Sequence, residues 1–352
     1  MNKQSKIVVA FLVIAVVAIF VIVSFQGKKQ QNNEVAIPIR IGYQTAWIPQ
    51  AQLAQVLKHT DILEKNGLKG EFKGFNYGGP LNEAALAGEV DVLFVADFPA
   101  INLLSKSDKF SIVARLSDFR NGIIVPAESS IQSISDLKDK ILSIPFGSSP
   151  HVHALNFIRE NGLDLKDFNI KNLDITEQIN ILQKSSSKNW ESVDAFATWD
   201  PAMAAFEEDG KARILKLFNP VGAIVMSNDF ITQNSIGAKK FLESFIESYF
   251  YYAKNQEKAN EWFIDESKFT YPQPVIDRSV SLEKNLNADN IEEINIFLGE
   301  EQITILENLM NEAVNNGLLK QAYDIRSRIN QEILREIRNN ELGFDLNQIN
   351  TK

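Results

Sequence analysis

The sequence predicts an α/β protein in which strands and helices alternate in two successive series, followed by a helical segment. Residues 91–96 include an unbroken apolar run, which is typical of a strand buried on both faces of a parallel sheet. Other strand-like runs alternate with stretches of helical periodicity, which indicates right-handed βαβ units. A short polar loop and a proline follow a strand-like run four times, at Gly79-Pro80, Phe98-Pro99, Ser149-Pro150 and Asp200-Pro201.

These four prolines predict where helices begin. Proline at the first helical position already has a helical φ and lacks an amide that would go unpaired. In an open α/β sheet such helix starts lie at the carboxyl edge of the strands, where free amides and positive dipole ends face a ligand. The pattern therefore predicts a site for a small, polar, anionic ligand.

The first series supplies three loops at that edge. Its predicted elements are an alternating strand at 37–43, a helix at 50–58, a strand at 70–75, a helix at 80–87 and the strand at 91–96. The loops after the three strands carry the candidate ligand-binding residues Gln44, Thr45, Trp47, Tyr77, Gly78, Gly79, Asp97 and Phe98. Because the loops leave the sheet at one edge, we expect their polar groups to converge on one ligand.

The second series repeats this plan. It predicts strands at 123–125, 141–146, 169–174 and 193–199, a capped turn at 135–138, and helices at 150–161 and 177–183. A further apolar stretch at 222–226 precedes helix-patterned segments at 239–254 and 291–319. The tail at 315–340 is amphipathic and predicts a packing helix, with a partner-binding extension as the alternative.

The loop after the strand at 141–146 is the strongest local candidate. Gly147 permits close backbone approach, and Ser148 and Ser149 place hydroxyls beside the free amides of the following helix. His151 lies in the first turn of that helix and is included as a candidate. The alternative is that Ser149 only caps the helix.

Trp199, Asp200 and Arg120 complete the candidate set. Trp199 offers an apolar or cation-binding face, and the Asp200 carboxylate either caps its helix or holds a cationic part of a ligand. Arg120 follows the first series, where the chain is predicted to cross between lobes. It is a natural counter-ion for a sulfonate or carboxylate, the alternative being an ordinary exposed arginine.

The composition is that of a globular chain long enough for two domains, with 352 residues of which 45% are hydrophobic and 23% charged. Residues 7–25 are uncharged and, apart from Ser24, apolar, which predicts a membrane-spanning signal anchor. A cleaved secretory signal is the alternative. Residues 26–34 are polar and predict a tether. We therefore expect a periplasmic or other extracytoplasmic domain attached to the cytoplasmic membrane.

Residue usage excludes several classes of site. The chain has no cysteine, which excludes disulfides, thiolate metal sites and attachment through a lipid-modified cysteine. Beyond residue 33, acidic side chains outnumber basic ones by 45 to 32, which disfavours nucleic acid as a partner.

Enzymatic activity is the weaker hypothesis. Of the three histidines, His59, His151 and His153, the last two lie two residues apart and point about 200° away from each other on a helix, so they cannot chelate one metal ion. Gly-x-Ser-x-Gly, Walker-A and Gly-x-Gly-x-x-Gly patterns are absent. We predict no catalytic residue, no metal and no cofactor.

Four motifs together resemble a known family. They are the segments 79–91 (GPLNEAALAGEVD), 130–138 (SIQSISDLK), 147–151 (GSSPH) and 194–201 (DAFATWDP). In this order and spacing they are similar to the periplasmic solute-binding proteins of ABC importers for nitrate, sulfonate, taurine and bicarbonate, which include binders of thiamine-pyrimidine precursors. The resemblance covers residues 39–226 well and the helical tail loosely.

The resemblance implies a type II periplasmic binding-protein fold, with two doubly wound α/β lobes joined by a two-segment hinge and followed by a helical C-terminal tail. It implies one lobe from residues 37–120 and 227–320, a second lobe from 121–226, a tail at 321–352, and an anchor and tether at 1–33. The hinge crossovers would lie near Arg120 and Met226. A monomer would close on its ligand and dock on membrane permease subunits.

By position, the resemblance makes the Ser148-Ser149 loop the anion-binding end and Trp199-Asp200 the opposite wall. Asp97-Phe98 and Phe119-Arg120-Asn121 depart from the small polar residues of a plain sulfonate pocket. The pyrimidine-synthase relatives use cysteine-rich motifs, which are absent here.

The leading hypothesis is a membrane-tethered receptor that captures a small organic anion, a sulfonate or a taurine-like solute, for an ABC importer. One alternative ligand is an aromatic heterocycle such as a pyrimidine precursor, held between Trp47, Tyr77 and Trp199. Nitrate and bicarbonate are further alternatives. A different class of function is a sensory or scaffold domain that engages a partner through its tail.

Overall fold

The computed structural model describes residues 36–352 except Glu191 and residues 339–341. The predicted membrane anchor at 7–25 and its tether lie outside the described residues. Within the described part of the chain, no helix combines the length and the apolarity that crossing a bilayer requires.

The first sheet has five strands in the order β2-β1-β3-β10-β4. They are β1 (Ile37–Gln44), β2 (Leu68–Phe75), β3 (Val92–Ala96), β4 (Phe110–Asp118) and β10 (Val221–Ser227). Strands β1, β2 and β3 pair in parallel, whereas β10 is antiparallel to both of its neighbours. The run at β3 is buried at every position, as expected for an internal strand of a sheet covered on both faces.

The second sheet repeats this arrangement in the order β7-β6-β8-β5-β9. Its strands are β5 (Asn121–Pro126), β6 (Ile141–Ile144), β7 (Asn169–Asn172), β8 (Ala195–Trp199) and β9 (Ala212–Phe218). Strand β6 is parallel to β7 and β8, and β5 is antiparallel to β8 and β9.

The chain passes between the two sheets twice. It leaves the first sheet after Asp118 and enters the second at Asn121, which agrees with the crossover expected near Arg120. It returns between Phe218 and Val221, and not near Met226 as expected. The reason is that the apolar run containing Met226 pairs with β3 and β4 and completes the first sheet.

Helices cover the sheets and form most of the C-terminal third. The helices are α1 (Gln50–His59), α2 (Ile62–Lys65), α3 (Gly78–Leu86), α4 (Asp97–Lys106), α5 (Ser149–Glu160), α6 (Ile175–Lys184), α7 (Ala202–Glu208), α8 (Asn228–Gln233), α9 (Ser235–Lys254), α10 (Gln256–Ser267), α11 (Gln273–Val280), α12 (Glu300–Asn315) and α13 (Glu332–Arg338). The helix-patterned segment at 291–319 is an α-helix only from Glu300, and Ile291–Glu293 is a 3-10 turn. Strands β4 and β9 and helices α2, α8, α10 and α11 were not predicted.

All four predicted proline junctions open helices. Pro80 and Pro99 are the third residues of α3 and α4, Pro150 is the second residue of α5, and Pro201 is the N-cap of α7. Each proline therefore stands where a helix amide has no intrahelical acceptor, so its missing N–H costs nothing there.

The C-terminal tail contains α13 and then returns to the first sheet's helical layer. Thr351 forms an isolated antiparallel bridge with Thr60. The Asn350 amide nitrogen Nδ2 donates to Asp61 Oδ2 at 2.7 Å, and the Asn350 backbone amide donates to Asp61 Oδ1 at 2.9 Å. The end of the chain is thereby fixed beside α2.

Candidate functional site

A small cavity lies between the two sheets, at the carboxyl ends of their strands. It is lined by Gln44, Trp47, Gly78, Ala96, Pro99, Phe119, Ser148, Ser149, Pro150 and Trp199. Gln44 and Ala96 end strands of the first sheet, and Trp199 ends a strand of the second. The cavity volume is about 10 Å³, which is room for about one water molecule. The two sheets therefore lie closed on each other in this structure.

Three helices begin at the cavity wall. Gly78 opens α3, Ala96 is the N-cap of α4, and Ser148 is the N-cap of α5. The first-turn amides of a helix have no intrahelical acceptor, and the aligned peptide dipoles make this end partly positive. Three such ends around one cavity create a positive potential without any cationic side chain in the wall.

Aromatic rings form the rest of the wall. The Trp47 and Phe119 rings lie 4.5 Å apart between centroids, and both side chains are about 2% exposed. Trp199 Nε1 donates to the Ala46 carbonyl oxygen at 3.1 Å, which links the second sheet to the loop after β1. Trp47 Nε1 is buried and has no acceptor among the described residues. An unpaired donor therefore belongs to a residue of the cavity wall.

The two serines of the second sheet's loop do not cap α5 with their side chains. Ser148 Oγ donates to the Pro145 carbonyl oxygen at 2.6 Å, and Ser149 Oγ accepts from Asn121 Nδ2 at 2.7 Å. The N-cap of α5 makes no side-chain capping hydrogen bond. Ser149 therefore does not cap α5 with its side chain, as the alternative required. Pro150 has no amide hydrogen, and the His151 amide donates to the Ser148 carbonyl oxygen at 3.2 Å.

A buried polar cluster lies directly behind Ser149. His153 Nε2 is 3.5 Å from Asp97 Oδ2, and Asn121 lies within hydrogen-bond distance of both His153 and Ser149. Burial raises the pKa of Asp97 to about 7 and lowers the pKa of His153 to about 4. Asp97 was predicted to contact the ligand, but it lies behind the wall and does not line the cavity. Its neighbours Asn121 and His153 were not predicted.

Arg120 and Asp200 form an ion pair behind the aromatic wall. Arg120 Nε lies 2.8 Å from Asp200 Oδ2, and the Asp200 side chain is 1% exposed. Asp200 Oδ1 accepts from the Ala204 amide at 3.0 Å, so the carboxylate also caps α7. Burial raises the pKa of Asp200 to about 6 although the Arg120 charge opposes this rise. In this structure Arg120 pairs with Asp200 and does not line the cavity, although its Nη2 is buried without a hydrogen-bond partner, so its expected role as a ligand counter-ion stays a prediction.

The remaining predicted residues surround the site without lining it. Thr45 bonds to the Phe75 carbonyl oxygen, and Phe98 is buried in the core. Tyr77 is half-buried beside Gly79, and its pKa is raised by burial and by the Asp174 charge. The cavity wall includes none of the predicted residues Thr45, Tyr77, Gly79 and Phe98.

His151 has structural contacts in the turn before α5. Its ring stacks on Phe146 at 4.6 Å and accepts a hydrogen bond from the Gly147 amide at 3.2 Å. Burial lowers the pKa of His151 to about 4, so the imidazole is neutral at pH 7. In the described ranges, no group of three or more acidic or histidine side chains is placed to hold a metal ion.

Four residues line the cavity but were not predicted as site residues: Ala96, Pro99, Phe119 and Pro150. The sequence did contain a signal for two of them, because Pro99 and Pro150 belong to the junctions that predict helix starts at the sheet edge. Phe119 was noted only as a departure from the family pattern. Its position depends on the chain crossing between sheets, which local periodicity does not show.

Comparison with known proteins finds curated relatives that are named as binding proteins. A family model described as "ABC transporter, phosphonate, periplasmic substrate-binding protein" matches residues 60–213. The chain is 24% identical over 263 residues to a putative aliphatic sulfonates-binding protein of Bacillus subtilis, covering 72% of this chain and 77% of the relative. It is also 24% identical over 230 residues to the taurine-binding periplasmic protein of Escherichia coli, covering 63% of this chain and 68% of the relative.

Solved structures share the fold. The alkanesulfonate-binding protein SsuA from Xanthomonas axonopodis pv. citri, bound to MOPS, matches with a TM-score of 0.67 and 20% identity, over 83% of this chain and 97% of that one. The nitrate-binding protein NrtA from Synechocystis PCC 6803 matches with a TM-score of 0.63 and 15% identity, over 86% and 88%. The type II binding-protein fold and the family resemblance are confirmed, and the curated relatives are named as binding proteins, not enzymes.

Proposed function

We propose that this extracytoplasmic solute-binding protein of the ABC-transporter class captures a small organic sulfonate between its two sheets and delivers it to a membrane permease. The observation that carries the proposal is the convergence of three helix starts on one cavity whose remaining wall is aromatic. Helix N-termini bind anionic groups, and aromatic side chains accommodate an apolar body. A sulfonate on a short carbon chain has both parts.

The aromatic wall favours this ligand over nitrate or bicarbonate. Both inorganic ions lack an apolar part that would contact Trp47, Phe119 and Trp199. A pyrimidine precursor held by three rings is less well supported, because Trp47 and Trp199 line the cavity but Tyr77 does not. The names of the sulfonate- and taurine-binding relatives point in the same direction.

Binding requires the two sheets and their helices to act as lobes that separate and close. We propose that the lobes comprise residues 37–118 with 221–352, and residues 121–218, joined by the two crossovers. A volume of about 10 Å³ is too small for a sulfonate, so the ligand enters when the lobes are apart. We propose further that residues 7–25 anchor the protein in the membrane beside its permease.

Isothermal titration calorimetry on the full chain in a non-ionic detergent tests the ligand class. Tris-chloride should replace sulfonate buffers, which would compete for the site. We expect saturable binding of alkanesulfonates, with nitrate and simple carboxylates binding more weakly. A response to phosphonates alone would contradict a sulfonate ligand, and no response to any of these anions would contradict the proposed function.

Replacing Ser148 and Ser149 together by alanine should weaken sulfonate binding more than it destabilises the fold. In the closed structure Ser148 Oγ donates to Pro145 and Ser149 Oγ accepts from Asn121, so the expected loss requires a hydroxyl to turn to the ligand when the lobes open. A hydrogen bond to a charged group contributes about 1.5–3 kcal/mol, so we expect at least tenfold weaker binding. The double substitution Ser186→Ala with Ser187→Ala, in a loop outside the cavity wall, is the matched control. Equal losses of affinity and stability in the Ser148/Ser149 variant would show that these hydroxyls are only structural.

A further inference from the structure

The cavity wall contains no charged side chain. Its ten residues contribute neutral polar groups from Gln44, Trp47, Ser148 and Ser149, and the others are apolar or glycine. The three helix starts add positive, not negative, potential. A ligand group that carries a positive charge therefore finds no countercharge in the wall and is opposed by the helix dipoles.

Two carboxylates lie close behind the wall, and neither belongs to it. Asp97 Oδ1 accepts from the Phe98 amide at 2.7 Å, whereas Asp97 Oδ2 lies 3.5 Å from His153 Nε2 without a hydrogen bond. Asp200 is held by the Ala204 amide and by Arg120. Both carboxylate side chains are at most 1% exposed.

Sheet register fixes the pairing of Arg120 with Asp200. Asn121 lies opposite Trp199 in the antiparallel pair of β5 and β8, which places the preceding and following residues side by side. The Asp200 amide donates to the Arg120 carbonyl oxygen at 3.3 Å in the same arrangement. The backbone pairing therefore places Arg120 beside Asp200, which directly follows Trp199 of the wall.

We infer that the site selects sulfonates that lack an ammonium group, because Asp200 pairs with Arg120 and Asp97 is fully buried behind the wall, so the wall presents no carboxylate to an aminosulfonate such as taurine. This inference rests on the proposed function and narrows its ligand class. The neutral acceptors do not replace a carboxylate. Hydroxyl and amide oxygens can accept from a primary ammonium, but they carry no net negative charge to offset the cost of desolvating its positive charge.

Propane-1-sulfonate and taurine form a matched pair for the test, since they differ mainly by a methyl in place of an ammonium group. Calorimetry on the full chain in detergent and Tris-chloride at pH 7 should give at least tenfold tighter binding of propane-1-sulfonate. Taurine binding equal to or tighter than propane-1-sulfonate would overturn the inference and leave the proposed function standing. If neither propane-1-sulfonate nor taurine binds, the proposed function and this inference are both contradicted.

Asp200→Asn tests whether the Asp200 carboxylate contacts the ammonium group of a ligand. Because Asp200 makes no ligand contact in this account, the substitution should leave the ratio of the two affinities within threefold of the native value. A loss confined to taurine would show that Asp200 contacts the ammonium group and would overturn the inference. If the variant does not fold, the affinity ratio of the native chain still decides.

Discussion

His151 shows how burial sets the protonation state of a single side chain. It is about 7% exposed, and its ring packs on Phe146. Burial lowers its pKa to about 4, whereas an unfolded histidine titrates near 6.5. The folded chain therefore holds His151 neutral in a range where the unfolded chain binds a proton. This contribution to stability is complete above pH 6.5 and is lost as the pH falls toward 4.

His151→Gln should make the stability less dependent on pH in this window. From pH 7 to pH 5, the native chain should lose about 2 kcal/mol of unfolding free energy through this histidine, and the variant should not. Glutamine keeps an acceptor within reach of the Gly147 amide. Urea unfolding of both proteins at the two pH values measures the difference. Parallel losses in the two proteins would show that His151 is not responsible.

Local pattern predicts which residues lie at the cavity where it determines their position, whereas their contact with a ligand stays a prediction. Ser148, Ser149 and Trp47 were found because each follows a strand and precedes a helix, and this order alone places them at the sheet edge. The Arg120–Asp200 pair was not predicted, because it depends on the register of β5 against β8, whose strands are about 70 residues apart in the sequence. Asp97 was placed at the correct edge, but its burial behind the wall depends on a helix of the other sheet.

At the scale of elements, β5 is the strand by which the chain enters the second sheet, and Gly122 allows it to pack closely against β9. A Cβ atom at Gly122 would lie 2.5 Å from the Lys216 carbonyl oxygen, which is a backbone atom of β9. Backbone in a paired strand cannot move aside as a flexible side chain can. The fit of β5 beside β9 therefore depends on the absence of a side chain at this position.

Gly122→Ala should lower the free energy of unfolding by about 1–3 kcal/mol, the usual cost of overpacking. Gly343→Ala is a suitable control, because an added Cβ there meets no atom within 4 Å. Thermal unfolding of the two variants beside the native chain measures the effect. A Gly122→Ala protein as stable as the control would show that β5 and β9 separate at little cost.

The strands that were not predicted have a common physical cause. In β4 the apolar run is interrupted by Arg115, which is buried because it pairs with Glu283 through two hydrogen bonds of 2.7 and 2.9 Å. In β9 only the first of seven residues is buried, since the strand lies at a sheet edge. Periodicity detects neither a buried ion pair nor an edge strand with one covered face.

At the scale of the whole molecule, the closed cavity implies that the two lobes move apart when a ligand enters. The distance between their facing rims, the loops at the carboxyl ends of the two sheets, should therefore change. Tyr77, which follows β2 of the first sheet, is near enough to Asp174, which follows β7 of the second, for that charge to raise its pKa. The native chain has no cysteine, so spin labels can be attached at two chosen positions without a background.

Labels at Asn76→Cys and Lys171→Cys should report lobe closure. Both positions are exposed and lie near the facing rims. Without ligand, pulsed electron paramagnetic resonance should show a broad distance distribution, which should shorten and narrow when an alkanesulfonate is added. A pair placed within the first lobe, at Asn76→Cys and Glu89→Cys, should not respond. Identical distributions with and without ligand would contradict the hinge mechanism.

The position of β10 has a consequence for the order in which the chain acquires structure during synthesis. Strand β10 lies between β3 and β4, so the first sheet cannot be completed until residue 227 has been made. All five strands of the second sheet lie within residues 121–218 and are available earlier. The unit that begins second along the chain is therefore the first that can finish folding. Until then, the edge of β3 that pairs with β10 lacks its partner strand.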